Sequence, residues 1–168
     1  LKRAGFILTA GLCLAAVSCL GGCSYSFTGS SVPPHLKTVR IQLFDDRTNS
    51  GEPALREDFT NGLIEQFRQD NSLEVTDRTG ADAELEGSIT SFTDQPTVVA
   101  AGEAVQKARI TIGVQATFRD QKLKKTVYEK TFTDWGEYDI GADPAARKAA
   151  IQAAIDKLTQ DILMATVS

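Results

Sequence analysis

From Ala108 to Arg119 the chain alternates without a break. Ala108, Ile110, Ile112, Val114, Ala116 and Phe118 hold one parity, and Arg109, Thr111, Gly113, Gln115, Thr117 and Arg119 hold the other. A period of two predicts a strand with one buried and one wet face, as in an antiparallel sheet covered on one side only. Ala83, Leu85, Gly87 and Ile89 alternate with Glu84, Glu86, Ser88 and Thr90 in the same manner. After a hairpin loop over Asp120 to Lys124, the stretch from Thr126 to Trp135 returns as a last strand with Tyr128 and Phe132 in step. Upstream, Val39, Ile41 and Leu43 alternate with Arg40 and Gln42 in a first strand, and a polar loop follows from Asp45 to Glu52. A short strand is expected over Leu73 to Asp77, before a turn at Thr79-Gly80.

Two segments keep the longer period. Pro53 opens a helix to about Gln69, with Leu55, Phe59, Leu63 and Phe67 four residues apart on one face. Asn61-Gly62 could signal a hairpin in isolation, but it falls inside this helical repeat. Gly62 is therefore expected to be a close-packing position, at about 1 kcal/mol of lost helix propensity. Asp143-Pro144 supplies an N-cap followed by proline at the first helical position, and Ile151, Ile155, Leu158 and Ile162 form a stripe toward Met164. The order is β-α-β-β-β-β-α. Two amphipathic helices on one face of a mixed, largely antiparallel sheet make an α+β two-layer sandwich.

A length of 168 residues suits one domain, and 42% hydrophobic with 24% charged residues is ordinary globular composition. Lys and Arg total 18 against 22 Asp and Glu, a net charge of -4 that argues against nucleic acid as a partner. One histidine and three cysteines leave little for metal or histidine-based catalysis. There is no nucleophile elbow, Walker loop or dinucleotide fingerprint, so an enzyme is not expected.

Lys2 and Arg3 precede an uncharged run from Ala4 to Leu20, the layout of an export signal. The rival reading, a membrane-spanning anchor, needs more apolar length than this run offers with Gly5, Thr9, Gly11 and Ser18 inside it. Leu20-Gly21-Gly22-Cys23 resembles the lipobox of bacterial lipoprotein signals, with two small residues before the cysteine whose thiolate takes the diacylglyceryl group. Residues 1–22 are thus expected to be a lipoprotein signal peptide, 23–36 a lipidated Ser/Gly/Pro tether and 37–168 a single domain. Cleavage before Cys23 would leave 146 of the 168 residues and take the net charge from -4 to -6. No disulfide partner would remain for Cys23. The covalent diacylglycerol and N-acyl lipid, palmitate among its chains, would moor the protein, and Ser24 in place of Asp is compatible with the outer membrane. Tyr25 and Phe27 are expected to pack on the domain.

Three polar clusters have plain structural readings. Asp46-x-Thr48-x-Ser50-Gly51 with Glu57 loosely matches a calcium loop, but it carries few carboxylates and follows a strand, so a strand-to-helix loop accounts for it. Asp134, Glu137 and Asp139 fit an exposed strand end as well as a carboxylate site. His35, beside two prolines and without a ligand at suitable spacing, is expected to be solvated. The 120–124 hairpin is different. Arg119, Lys122, Lys124 and Lys125 gather positive charge at one tip of an acidic protein. They read either as a solvated turn whose lysines deter edge pairing, or as a local contact for phosphate and other anions.

Cys23-Ser24-Tyr25-Ser26-Phe27, Pro33 to Val39, Leu43 to Thr48, Asp77-Arg78, Ala81 to Gly87 and Val114 to Asp120, in that order and spacing, resemble the LptE family. The family pattern more often has Gly at position 24 and Asn at position 46. The resemblance implies a small helix-on-sheet sandwich that is not an enzyme and takes no cofactor beyond its lipid on Cys23. It also implies an LptD-like outer-membrane β-barrel, which the lipoprotein plugs and helps assemble, and lipopolysaccharide as cargo. Attachment would be at the periplasmic face of the outer membrane. Some family members bind lipopolysaccharide through basic residues near a hairpin; here Arg119, Lys122, Lys124 and Lys125 are candidates by charge alone. The alternative is a tethered binding or scaffold module of another envelope machine, for secretion, pilus assembly or efflux.

Overall fold

The structure, a computed structural model, describes residues 32–97 and 107–168. The signal segment, Cys23, and Tyr25 with Phe27 lie outside the described residues. The strands are β1 (Thr38–Ile41), β2 (Asp45–Asp46), β3 (Glu74–Val75), β4 (Ala83–Thr97), β5 (Lys107–Asp120) and β6 (Lys125–Asp139). The helices are α1 (Leu55–Asp70) and α2 (Pro144–Val167). All six strands form one open sheet in the order β3-β1-β4-β5-β6, with β2 also paired to β4. β1 runs parallel to β3 and β4, β2 runs parallel to β4, and β4, β5 and β6 form an antiparallel meander. The mixed α+β sandwich expected from the pattern is the fold.

The first strand departs from its expected form. Gln42 N–H continues the ladder to the Leu85 carbonyl at 2.9 Å, and the chain then kinks. Phe44 turns into the core with its N–H on Thr60 Oγ1 at 3.1 Å, while Leu43 is left 53% exposed. The ladder resumes as β2, in what was expected to be loop, and Arg47 N–H reaches the Ile89 carbonyl at 3.0 Å. β3 is shorter than the expected strand over Leu73 to Asp77, although Leu73 itself is buried.

β4 runs seven residues beyond Thr90, the end of its alternation. The reason is a bulge: Ile89 pairs with Val114 and Ser91 with Gly113, which leaves Thr90 extra and shifts the inward parity from odd to even. Phe92 then faces Ile112 across the ladder. A second irregularity leaves Val127 unmatched between Thr126 opposite Arg119 and Tyr128 opposite Phe118.

Both helices lie on the apolar face. Leu55, Phe59, Leu63 and Phe67 of α1 and Ile151, Ile155, Leu158 and Ile162 of α2 join Val39, Leu85, Ile110, Ile112, Val114 and Phe118 in one core. Gly62 permits the helices to touch: a Cβ there would lie 3.3 Å from Ile155 Cγ2. Asp143 caps α2 by accepting the Ala146 N–H at 3.0 Å, as its position before Pro144 predicts. Asn71 ends α1 in the left-handed conformation at φ 59°. The other face of β4–β6 carries no element among the described residues.

Candidate functional site

Three places concentrate polar chemistry: the corner where the chain enters the domain, the uncovered sheet face, and the opposite end of the strands. At the corner, residues 33–38 are fastened to groups far away in sequence. His35 Nε2 lies 2.5 Å from Asp120 Oδ2. Asp120 is only 4% exposed, and its Oδ1 accepts the Leu123 N–H at 2.8 Å. One carboxylate therefore fixes both the lead-in segment and the hairpin turn. Beside it, Asp82 Oδ2 accepts the Lys37 N–H at 2.7 Å and the Thr38 N–H at 3.3 Å. Asp82 Oδ1 pairs with Lys122 Nζ at 2.8 Å, and Lys122 also donates to the His35 carbonyl at 2.6 Å. The knot is closed by the Asp82 N–H on Thr38 Oγ1 at 2.9 Å and the Gln121 N–H on the Asp82 carbonyl at 2.9 Å.

The electrostatics follow from these contacts. Lys122, and next the Lys37 N–H, hold the Asp82 carboxyl below its ordinary value against the opposing effect of burial. Burial also opposes ionisation of Asp120, but His35 and the Leu123 N–H outweigh it and its carboxyl too titrates below the usual range. His35, expected to be solvated, is instead an anchoring group. The carboxylate that meets it is 85 residues further along, which no local spacing reveals. Leu36, at the end of the expected tether, is buried in the core.

The four basic candidates do not form one cluster. Arg119 lies on the uncovered face and pairs with Glu86 at 3.0 Å. Lys122 is committed to Asp82 and the His35 carbonyl. Lys124 and Lys125 are exposed, and among the described residues neither has a carboxylate within 4.0 Å. Lys124 edges an open groove of about 380 Å³ whose other charged groups are Arg40, Asp82, Glu84 and Lys122.

The uncovered face presents Thr111, Gln115 and Thr117 of β5 and Glu129, Thr131 and Thr133 of β6. Three of its ion pairs are internal: Arg40 with Glu84 at 3.7 Å, Arg119 with Glu86, and Arg109 with Glu137 at 2.7 Å. Gln42 donates to Glu84 at 2.7 Å and Gln115 to Glu129 at 2.8 Å. The surface is polar, extended and nearly balanced in charge.

At the free edge, Trp135 is flanked by two cations, Arg109 Cζ at 4.0 Å and Lys157 Nζ at 4.2 Å from its ring centre. Lys157 also donates to the Trp135 carbonyl at 2.7 Å and pairs with Asp134 at 3.3 Å. Asp134 and Glu137 thus belong to separate ion pairs on opposite faces of β6. Arg147 of α2 ties Glu52 at 2.6 Å to Asp94 of β4 at 2.8 Å, and hydrogen bonds to these carboxylates make the guanidinium hold its own proton still more firmly than usual. In the loop that resembled a calcium site, Asp46 Oδ1 is taken by the Thr48 N–H at 2.8 Å and hydroxyl at 2.7 Å, and Glu57 by Arg56. These contacts orient backbone and pair charge with charge.

A small helix-on-sheet module with one wet sheet face and a pinned N-terminal corner is the class these features define. The LptE family model, described as Lipopolysaccharide-assembly, matches residues 36–166, and the chain belongs to that family. It is therefore one of the non-enzymatic lipopolysaccharide-assembly lipoproteins of the cell envelope. No curated protein matches the sequence. Among solved structures, the PelC dodecamer of Paraburkholderia phytofirmans is similar at 13% identity and a TM-score of 0.56, over 84% of this chain and 96% of that one. A DUF330 protein of Xanthomonas campestris is similar at 17% identity and a TM-score of 0.56, over 80% and 88%. A minor lipoprotein of Acinetobacter baumannii is similar at 13% identity and a TM-score of 0.51, over 80% and 92%. At these identities the likeness is one of fold.

Proposed function

We propose that the protein is an outer-membrane lipoprotein that plugs an LptD-like β-barrel, helps it assemble, and takes part in delivering lipopolysaccharide to the cell surface. In this reading residues 1–22 are removed, Cys23 receives the diacylglyceryl and N-acyl groups, and the domain of residues 37–168 faces the periplasm from a tether over residues 23–36. Family membership sets the process. The uncovered β4–β6 face carries the finer reading, because the lumen of such a barrel is polar and wet. A face of threonines, glutamines and internally matched ion pairs can line it without stranding a charge.

Of the four basic residues, Arg119 and Lys122 serve the domain's own ion pairs, which leaves Lys124 and Lys125 as the candidates for contact with anionic lipid. The decisive experiment is co-purification from solubilised outer membranes. A stoichiometric complex with a large β-barrel is expected, weakened by Thr117→Arg and Thr131→Arg on the uncovered face. Capture of a secretion, pilus or efflux component in place of the barrel overturns the reading and supports a scaffold module of another envelope machine.

A further inference from the structure

The hairpin tip carries a feature that anion binding alone does not use. Leu123 is 65% exposed, the highest value among the exposed large hydrophobic residues described, and it sits between Lys122 and Lys124 at the extreme end of the sheet. Lys124 holds φ at 54°, a left-handed turn position where Gly or Asn avoids the steric penalty a lysine meets. The turn is rigidly set by Asp120, whose Oδ1 holds the Leu123 N–H. The same carboxylate anchors His35, so residues 35–38 and the tip share one corner. From Cys23 to Val32 is nine residues, at most about 30 Å of chain. The strands run about 50 Å from that corner to their other ends. With Cys23 acylated, as proposed above, this end of the domain would be held nearer the bilayer than the other.

We infer that the β5–β6 tip is a membrane foot: Leu123 enters the headgroup layer of an anionic phospholipid surface while Lys124 and Lys125 meet its phosphates. The inference rests on the reading of Cys23 as the acylated residue. An apolar tip ringed by cations is the composition suited to a bilayer interface, where the aliphatic lysine stems lie along apolar surface and the ammonium groups stay with phosphate. Two unpaired lysines are too few for firm attachment alone, since each contributes about a five-fold gain near an anionic surface. Beside an acyl anchor they are enough to orient the domain. Repulsion between the surface and the rest of this acidic chain makes the tip the preferred contact.

The test uses the mature acylated protein in vesicles of phosphatidylethanolamine with phosphatidylglycerol. A nitroxide is placed on Leu123→Cys, or on Gln152→Cys of α2 as the distant control. Shielding of the Leu123 label from a water-soluble relaxing agent, with the Gln152 label open, supports the foot. So does an approximately 30-fold weaker contact in the Lys124→Gln, Lys125→Gln variant. Equal accessibility of the two labels in vesicle-bound protein overturns the foot and leaves the acylation reading intact. Protein that does not remain with the vesicles overturns both. Shielding that appears only when lipopolysaccharide is added overturns the foot in favour of a lipopolysaccharide contact.

Discussion

His35 and Asp120 stand 85 residues apart in sequence, yet Nε2 and Oδ2 meet at 2.5 Å at the corner where the chain enters the domain. Replacing His35 by Ala leaves a nearly buried carboxylate with the Leu123 N–H as its main remaining support. At neutral pH the thermal midpoint should fall by about 4 °C or more. The Asp120 carboxyl titrates below its unfolded value, so its contribution is complete above about pH 4 and fades as pH falls through the lowered folded value. The gap between His35→Ala and the parent should therefore narrow toward pH 2. Circular-dichroism melts across that range check both statements, and identical midpoints at pH 7 would contradict them.

Two glycines at helix contacts should respond differently to alanine. A Cβ at Gly136 would collide with the Ala150 carbonyl oxygen, where α2 crosses β6. Neither backbone can yield without parting helix from strand, so Gly136→Ala should lose about 3 kcal/mol. At Gly62 the neighbour is a side-chain methyl, Ile155 Cγ2 at 3.3 Å, which can shift. The helix-propensity gain of about 1 kcal/mol should bring Gly62→Ala close to neutral. Urea denaturation separates the two.

Burial pushes the Tyr128 hydroxyl up to about 12, and the bond to Thr166 Oγ1 at 2.8 Å only partly offsets it. The group is neutral in the fold and its folded value lies above the unfolded one near 10. Its stabilisation is then whole below pH 10 and is lost between about pH 10 and 12, to the extent of about 3 kcal/mol. Tyr128→Phe should lower stability at pH 7 by about 1 kcal/mol. The same change should flatten the alkaline decline. Unfolding at pH 8 and pH 11 gives the comparison.

The outer edge of β6 is closed at one point. The Trp135 N–H meets Asp134 Oδ1 at 2.7 Å and its carbonyl meets Lys157 at 2.7 Å, so neither is offered to another strand. Lys157→Ala should expose that carbonyl and increase concentration-dependent association in sedimentation velocity. It should also alter the fluorescence of Trp135, which loses one of two flanking cations. Unchanged sedimentation would show that the lysine does not guard the edge.

The sheet was legible wherever alternation was unbroken. β5 matches its expected strand to within a residue at each end because every second side chain enters one core. In β4 the alternation stops at Thr90, since a bulge reverses the inward parity and a fixed period cannot follow it. Alternation points Leu43 inward for the same reason, whereas a kink between Ile41 and Phe44 buries Phe44 and exposes Leu43. At the candidate site, charge composition marked the hairpin, but it could not show that Arg119 and Lys122 are already engaged. Their partners Glu86 and Asp82 belong to β4 and its approach, and the family-like stretch from Ala81 to Gly87 that holds both does not say which cation each one meets. Contacts between residues so far apart depend on topology, which periodicity constrains only loosely.

The fastening of residues 35–38 also orders events in time. In a chain that emerges N-terminus first, the lead-in appears long before Asp120, Gln121 and Lys122, the groups it docks on. Until the meander of β4 and β5 is complete, residues 35–38 lack the Asp120 carboxylate and the Lys122 ammonium that hold them. The entry corner is thus the last part of this end of the domain to be fixed, an order imposed by chain connectivity without a separate timing device.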